Sequence, residues 1–149
     1  MDGTMRCSAP LAAVVVAALA VAGAGCGREK KPAAAGVVAM AGQTVTTSRL
    51  VTIAAGVCDA AALAGHNVDS ARATFYGQSH DGLHLIAKGL QEVDRAESAS
   101  LLEAKQKVEA DFVAPPPGPQ LANDLRQLAD VTRASLARFK VSADACPPS

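Results

Sequence analysis

Apolar residues recur at helical spacing in four segments of this chain, and each segment predicts an amphipathic helix. The first segment covers residues 48–64, and Gly65 supplies a stop signal directly after it. Thr47 or Ser48 can cap its start through a side-chain oxygen. Its apolar face consists of Leu50, Ile53, Val57, Ala61 and Ala64.

The second segment is apolar on one face as well, but its pattern is interrupted in the middle. Asn67, Asp69 or Ser70 can open it, and Ser79 and Gly82 break the apolar stripe. Two interpretations fit this break: a kinked helix, or a fresh helical start at His80 with Ser79 as its cap. The stripe consists of Val68, Ala71, Phe75, Ile86, Leu90 and Val93.

The third and fourth segments have regular patterns. The third begins near Glu97 and Ser98 and must end before the proline-rich stretch 115–119, since proline cannot continue a helix. Its apolar face is Leu101, Ala104, Val108 and Phe112. The fourth carries a near-heptad stripe of Leu121, Leu125, Leu128, Thr132, Ser135, Leu136 and Phe139.

Composition agrees with a helical fold. The chain is rich in alanine, the best helix former, and only 3% of its residues are aromatic. Four amphipathic helices with short connections predict an all-α, up-down-up-down four-helix bundle. We expect this bundle to occupy residues 44–149 and to finish in a C-terminal tail.

The N-terminus has the pattern of an export signal. The apolar run 11–22 is shorter than the about 20 residues that a membrane-spanning helix needs, so residues 1–25 read as a signal peptide. Residues 23–26, Gly-Ala-Gly-Cys, resemble a bacterial lipobox. This resemblance implies a lipoprotein of the cell envelope that is acylated at Cys26, with residues 26–43 as a linker. Ordinary secretory cleavage near Ala22 or Ala24 and a retained anchor helix are the alternatives.

The cysteines fit the same location. Cys7 would leave with the signal peptide and Cys26 would carry lipid, which leaves Cys58 and Cys146 in an oxidising compartment. We predict that they form a disulfide that ties the C-terminal tail back to the first helix. Two unpaired thiols are the alternative.

The segment 75–86 holds the candidate chemistry. His80 and His84 are four residues apart and could bind Cu or Zn with an acidic residue of the third helix, Glu103 or Glu109. On a continuous helix, however, the His pair falls about 140–180° away from Phe75, which predicts two solvent-exposed imidazoles. A pH-responsive contact is a further alternative. A break in the helix could turn His80 inward.

Charge and motifs narrow the function. The chain has 14 basic and 14 acidic residues, with neither sign segregated, so it lacks the basic footprint of a nucleic-acid-binding protein. It has no G-x-S-x-G motif, and its acidic pairs have the spacing of solvated helix charges. We therefore expect a non-enzymatic envelope protein that is anchored to the membrane by lipid and binds another envelope protein or a small ligand. A metal-handling protein that uses His80, His84 and Glu103 is the alternative.

Overall fold

The computed structural model describes residues 36–114 and 120–147, all of which belong to one compact unit. They form a small β-hairpin followed by helices. In chain order the elements are β1 (Val37–Met40), β2 (Gln43–Thr46), α1 (Thr47–Ala64), α2 (Val68–Thr74), a π-helical turn (Phe75–Ser79), α3 (His80–Val93), α4 (Arg95–Val113) and α5 (Leu121–Arg138). The protein is therefore mostly helical, as predicted.

The hairpin is a correction to the sequence analysis, which assigned residues 26–43 to a linker. β1 and β2 are antiparallel, with Val38 opposite Val45. Ala41 and Gly42 connect them with positive φ angles of 50° and 73°, which is the geometry of a type I′ turn. Met40 and Val45 are buried in the main core. The pattern went unnoticed because its small apolar residues look like an undecorated spacer.

Helix α1 is confirmed, but its cap is Thr46 and not the predicted Thr47 or Ser48. It begins after Thr46, whose hydroxyl oxygen accepts a hydrogen bond from the backbone N–H of Arg49 at 3.3 Å. By length and composition alone, α1 could cross a membrane. Its apolar face is instead packed inside the protein, so we interpret it as a core helix. The buried residues are Leu50, Ile53, Ala54, Gly56, Val57, Ala60 and Ala61.

The third and fourth predicted helices are confirmed as α4 and α5. The Asp94 carboxylate caps α4 by accepting from the backbone N–H of Glu97 at 3.0 Å. All four residues of the predicted α4 face are buried, and so are the leucines of α5 together with Thr132 and Ser135. The proline-rich stretch between these helices, 115–119, lies outside the described residues.

The second predicted helix is divided into α2, the π-helical turn and α3. Asn67 caps α2, since its side chain accepts from the N–H of Ser70 at 3.0 Å. The α-helix resumes at His80, but the Ser79 side chain does not cap it and the His80 N–H donates to the Phe75 carbonyl. The segment is therefore a helix interrupted by a π turn and not a fresh start capped by Ser79. Val93 was expected on the buried stripe, but it is exposed in the last turn of α3.

Glycines and a disulfide hold these elements close together. α1 packs on α2, α5 and the π-helical turn, and α4 packs on α3 and α5. A Cβ at Gly82 would lie 2.4 Å from Ile53, and one at Gly89 would lie 2.8 Å from Met40, so both glycines permit close packing. Cys58 and Cys146 form the predicted disulfide, with their Cα atoms 5.1 Å apart.

Candidate functional site

The candidate site is built around the π-helical turn, hereafter the π turn. A Cβ at Gly56 of α1 would lie 2.5 Å from the Ser79 hydroxyl oxygen, so α1 makes room for the turn by carrying a glycine. Ser79 is buried, and its hydroxyl donates a hydrogen bond to the backbone carbonyl of Ile53 at 2.8 Å. Ser79 therefore joins two helices instead of capping α3 with its side chain. Single π turns are rare in proteins, and those that occur are often found at functional sites.

The π turn rotates His80 toward α4. Its Nε2 lies 2.9 Å from Glu109 Oε1, its Nδ1 lies 3.0 Å from Asp81 Oδ1, and its side chain is only 23% exposed. The expectation of two exposed imidazoles is therefore wrong for His80, because it assumed a continuous α-helix. A neutral imidazole carries a single N–H, so the two contacts are both hydrogen bonds only when the ring is doubly protonated.

Glu109 joins His80 to a buried lysine. Lys105 Nζ lies 2.7 Å from Glu109 Oε1, and the Lys105 side chain is 3% exposed. Burial raises the pKa of Glu109, but the hydrogen bonds and charges of Lys105 and His80 outweigh it and hold the pKa below its usual value. The carboxylate is thus ionised between two donors. The i, i+4 spacing of Lys105 and Glu109 predicts only an ordinary pair that supports the helix, and it reveals neither the burial of Lys105 nor the contact with His80.

Aromatic rings support the same segment. Phe75 and Phe112 are buried, with ring centroids 5.6 Å apart. Tyr76 is 42% exposed, and its ring centroid lies 5.0 Å from that of His80. His84 lies on the other side of His80, also at 5.0 Å, and faces solvent. Partial burial, followed by the positive charges of Lys105 and His80, lowers the pKa of His84.

The predicted metal ligands come together only in part. His80 and His84 are neighbours, as expected from their spacing. Glu103, by contrast, has a side chain that is 73% exposed and pairs with Lys107 at 3.7 Å, so the acidic residue beside His80 is Glu109. Across residues 36–114 and 120–147, no three His, Cys, Asp or Glu side chains are grouped so that they could hold an ion.

A groove of about 240 Å³ opens between α1 and the π turn. We call it the π-turn groove; it is lined by Arg49, Thr52, Ile53, Tyr76, Gly77, Gln78, Ser79, Asp81 and Gly82. The sequence predicted the segment 75–86 but not the part of this groove that α1 contributes. Gly56 was the available signal, since a glycine inside an otherwise good helix often marks a close approach of another backbone.

No family model, curated protein or solved structure matches this chain. Cys26, the predicted lipidation site, lies outside the described residues. The function must therefore be argued from the residues and geometry given above.

Proposed function

We propose that this protein is a non-enzymatic binding protein of the cell envelope, held at the membrane by lipid on Cys26. Its recognition surface would be the outer side of the π turn and the start of α3, which we call the π-turn face: the exposed Tyr76, Gln78, Asp81 and His84 around the partly buried His80. An envelope protein or a small ligand would bind there.

The π turn carries this proposal. It shifts the backbone hydrogen bonds by one residue, since the His80 N–H donates to the Phe75 carbonyl, and it places an exposed tyrosine beside two histidines. Tyrosine is enriched at binding hot spots because it offers a large apolar ring and a polar hydroxyl. Behind the surface, the Lys105–Glu109–His80 network and the packed rings of Phe75 and Phe112 fix its shape. A rigid surface loses little conformational entropy on binding.

Binding can be tested with a photo-reactive phenylalanine derivative at position 76. The full chain would be irradiated in its native membranes, and its mass would report an adduct with a protein or a small molecule. The matched control carries the same group in place of Ala134, an exposed residue of α5. We expect a discrete adduct at position 76 and none at position 134. Equal labelling at both positions, or none at either, would contradict the proposed face.

The envelope location is supported by the lipobox-like residues 23–26 and by the Cys58–Cys146 disulfide, since disulfides persist in oxidising compartments. A lipid anchor with more than one acyl chain would hold the protein stably. Replacing Cys26→Ser should release the protein from the membrane fraction. Its persistence there would favour a retained anchor helix.

We further propose that the helices follow the up-down-up-down order, with α2, the π turn and α3 acting as one broken helix. The packing of α1 on α5, of α4 on α5 and of α3 on α4 supports this order, because short connections place antiparallel neighbours side by side.

Metal handling is the second candidate function. The 5.0 Å separation of the His80 and His84 rings favours it, and Asp81 and Glu109 are close by. Binding Cu(II) or Zn(II) would require His80 to give up a carboxylate contact. Calorimetric titration of the protein and of a His80→Ala/His84→Ala variant tests this candidate, and equal heats for the two proteins would exclude it.

A further inference from the structure

Part of the lining of the π-turn groove is held in place by close packing. Its floor includes Gly82, which packs directly on Ile53, and its rim includes Gly77 of the π turn. Ser79 is held to α1 by its hydrogen bond to the carbonyl of Ile53. A wider depression of about 520 Å³ between α3 and α4 is lined instead by long side chains such as Lys88, Glu92 and Arg95. The smaller groove is therefore the better-defined binding site.

Opposite charges line this groove. Arg49 contributes a guanidinium, and within residues 36–114 and 120–147 its side chain forms no ion pair. Asp81 contributes a carboxylate that is 98% exposed. This carboxylate accepts a hydrogen bond from the His80 ring at 3.0 Å. The hydrogen bond from His80 lowers the pKa of Asp81, which keeps it ionised. A ligand can therefore meet one positive and one negative group.

Neutral polar groups line the same groove. Tyr76 and Gln78 are exposed and add a hydroxyl and an amide to the lining. The groove is smaller than the roughly 300–1,000 Å³ typical of sites for drug-sized molecules. Its occupant must accordingly be small and polar.

We propose that the π-turn groove binds a small molecule that carries both a carboxylate and an amine, of the class of free amino acids and dipeptides. Arg49 would donate hydrogen bonds to the carboxylate, for which its planar guanidinium is well shaped. Asp81 would accept from the ammonium group. This inference rests on the proposed binding role of the π-turn face and specifies its ligand class.

Three matched probes test the need for both charges. We would titrate the full chain carrying Cys26→Ser, with its disulfide intact, and follow the backbone amides by NMR. The probes are L-alanyl-L-alanine, N-acetyl-L-alanyl-L-alanine, which lacks the ammonium, and L-alanyl-L-alaninamide, which lacks the carboxylate. We expect the dipeptide to shift the amides of residues 49–53 and 76–82, and each capped probe to bind at least about tenfold more weakly.

Two variants test which residue binds each charged group of the dipeptide. Arg49→Gln should remove the preference for the dipeptide over its amide, and Asp81→Asn should remove the preference over the acetylated form. Lys107→Gln, on the exposed side of α4, is the control and should bind as the parent does.

The inference is overturned if the dipeptide shifts no amide in these segments, or if the three probes bind equally. If the acetylated probe binds as tightly as the dipeptide, the groove does not require an amine and is a simple anion site. Each of these results leaves the cross-linking at position 76 as a separate test of the binding role.

Discussion

Helix α5 and the broken helix from α2 to α3 have similar sequence patterns, but only the second contains a π turn. Both carry an apolar stripe at helical spacing, and both bury it against α1 or α4. α5 runs unbroken from Leu121 to Arg138. Within it, the buried Thr132 hydroxyl donates to the Leu128 carbonyl of the same helix. At its end, Arg138 pairs with Asp94 and Glu97 at the start of α4. In the broken helix, the π turn brings charged and aromatic side chains from three helices together. The helix with a regular apolar pattern thus serves to pack the core, while the helix with an interrupted pattern carries the candidate site.

The largest effect is expected from removing the disulfide, which joins the C-terminal tail to α1. Replacing both Cys58 and Cys146 by Ser should lower the free energy of unfolding by about 3 kcal/mol, because the unfolded chain regains the freedom that an 88-residue separation allows. Denaturant titration measures this change. A loss of under about 0.5 kcal/mol would show that the tail contributes little.

Glu109 and Glu103 lie on the same helix, but only Glu109 contacts His80 of the candidate site. Replacing each in turn compares the site with an exposed part of α4. Glu109→Ala should lower the free energy of unfolding by about 2 kcal/mol, since it leaves the buried Lys105 without its partner. This loss is smaller than that for a fully buried pair because Glu109 is partly exposed. Glu103→Ala removes an exposed pair and should cost less than about 0.5 kcal/mol. Equal losses of unfolding free energy would mean that the Lys105–Glu109–His80 network does not stabilise the fold.

Two glycines of the broken helix should respond in opposite ways. Gly82→Ala should lower the free energy of unfolding by about 1–2 kcal/mol, because the new methyl group collides with Ile53. At Gly77 no atom lies within 4 Å of the added Cβ, so Gly77→Ala should be neutral or stabilising by up to about 1 kcal/mol. Thermal and denaturant unfolding of both variants checks this. Destabilisation by Gly77→Ala would indicate that the π turn needs glycine there.

The smallest effect concerns Asp111, near the end of α4. Burial, followed by the neighbouring Asp124, raises the pKa of Asp111, and its buried Oδ2 has no hydrogen-bond partner among the described residues. Because its pKa is higher in the folded state, protonation favours folding, and this stabilisation is lost as pH rises through the folded-state pKa. Asp111→Asn should therefore gain roughly 0.5 kcal/mol at neutral pH, a value reduced because solvent screens this partly exposed group, and should lose that advantage as pH falls through the pKa of the carboxyl. Denaturant titration at several pH values measures this gain, and a gain that is unchanged at low pH would contradict the prediction.

The sequence was sufficient for the regular elements. The extents of α1, α4 and α5 follow from periodicity to within a few residues, although the capping residues Thr46 and Asp94 were not predicted. The disulfide was predicted from the two cysteines that follow the proposed lipidation site. The hairpin was missed because Val37 to Met40 is too short and too apolar to distinguish from a spacer. The site was located in the correct segment, but Glu109 was not preferred over Glu103. The phase of His80 depends on one π turn, which tertiary contacts with Gly56 and Ile53 decide.

Amide hydrogen exchange tests the central claim, that the π-turn face is the binding surface. Exchange would be compared between the protein in its native membranes and the purified full chain. We predict slower exchange in the membranes for residues 75–84, with α5 unchanged, because a bound partner covers the first region and leaves the second free. Equal exchange at residues 75–84 in the two samples, or protection that falls on α5 instead, would contradict the account.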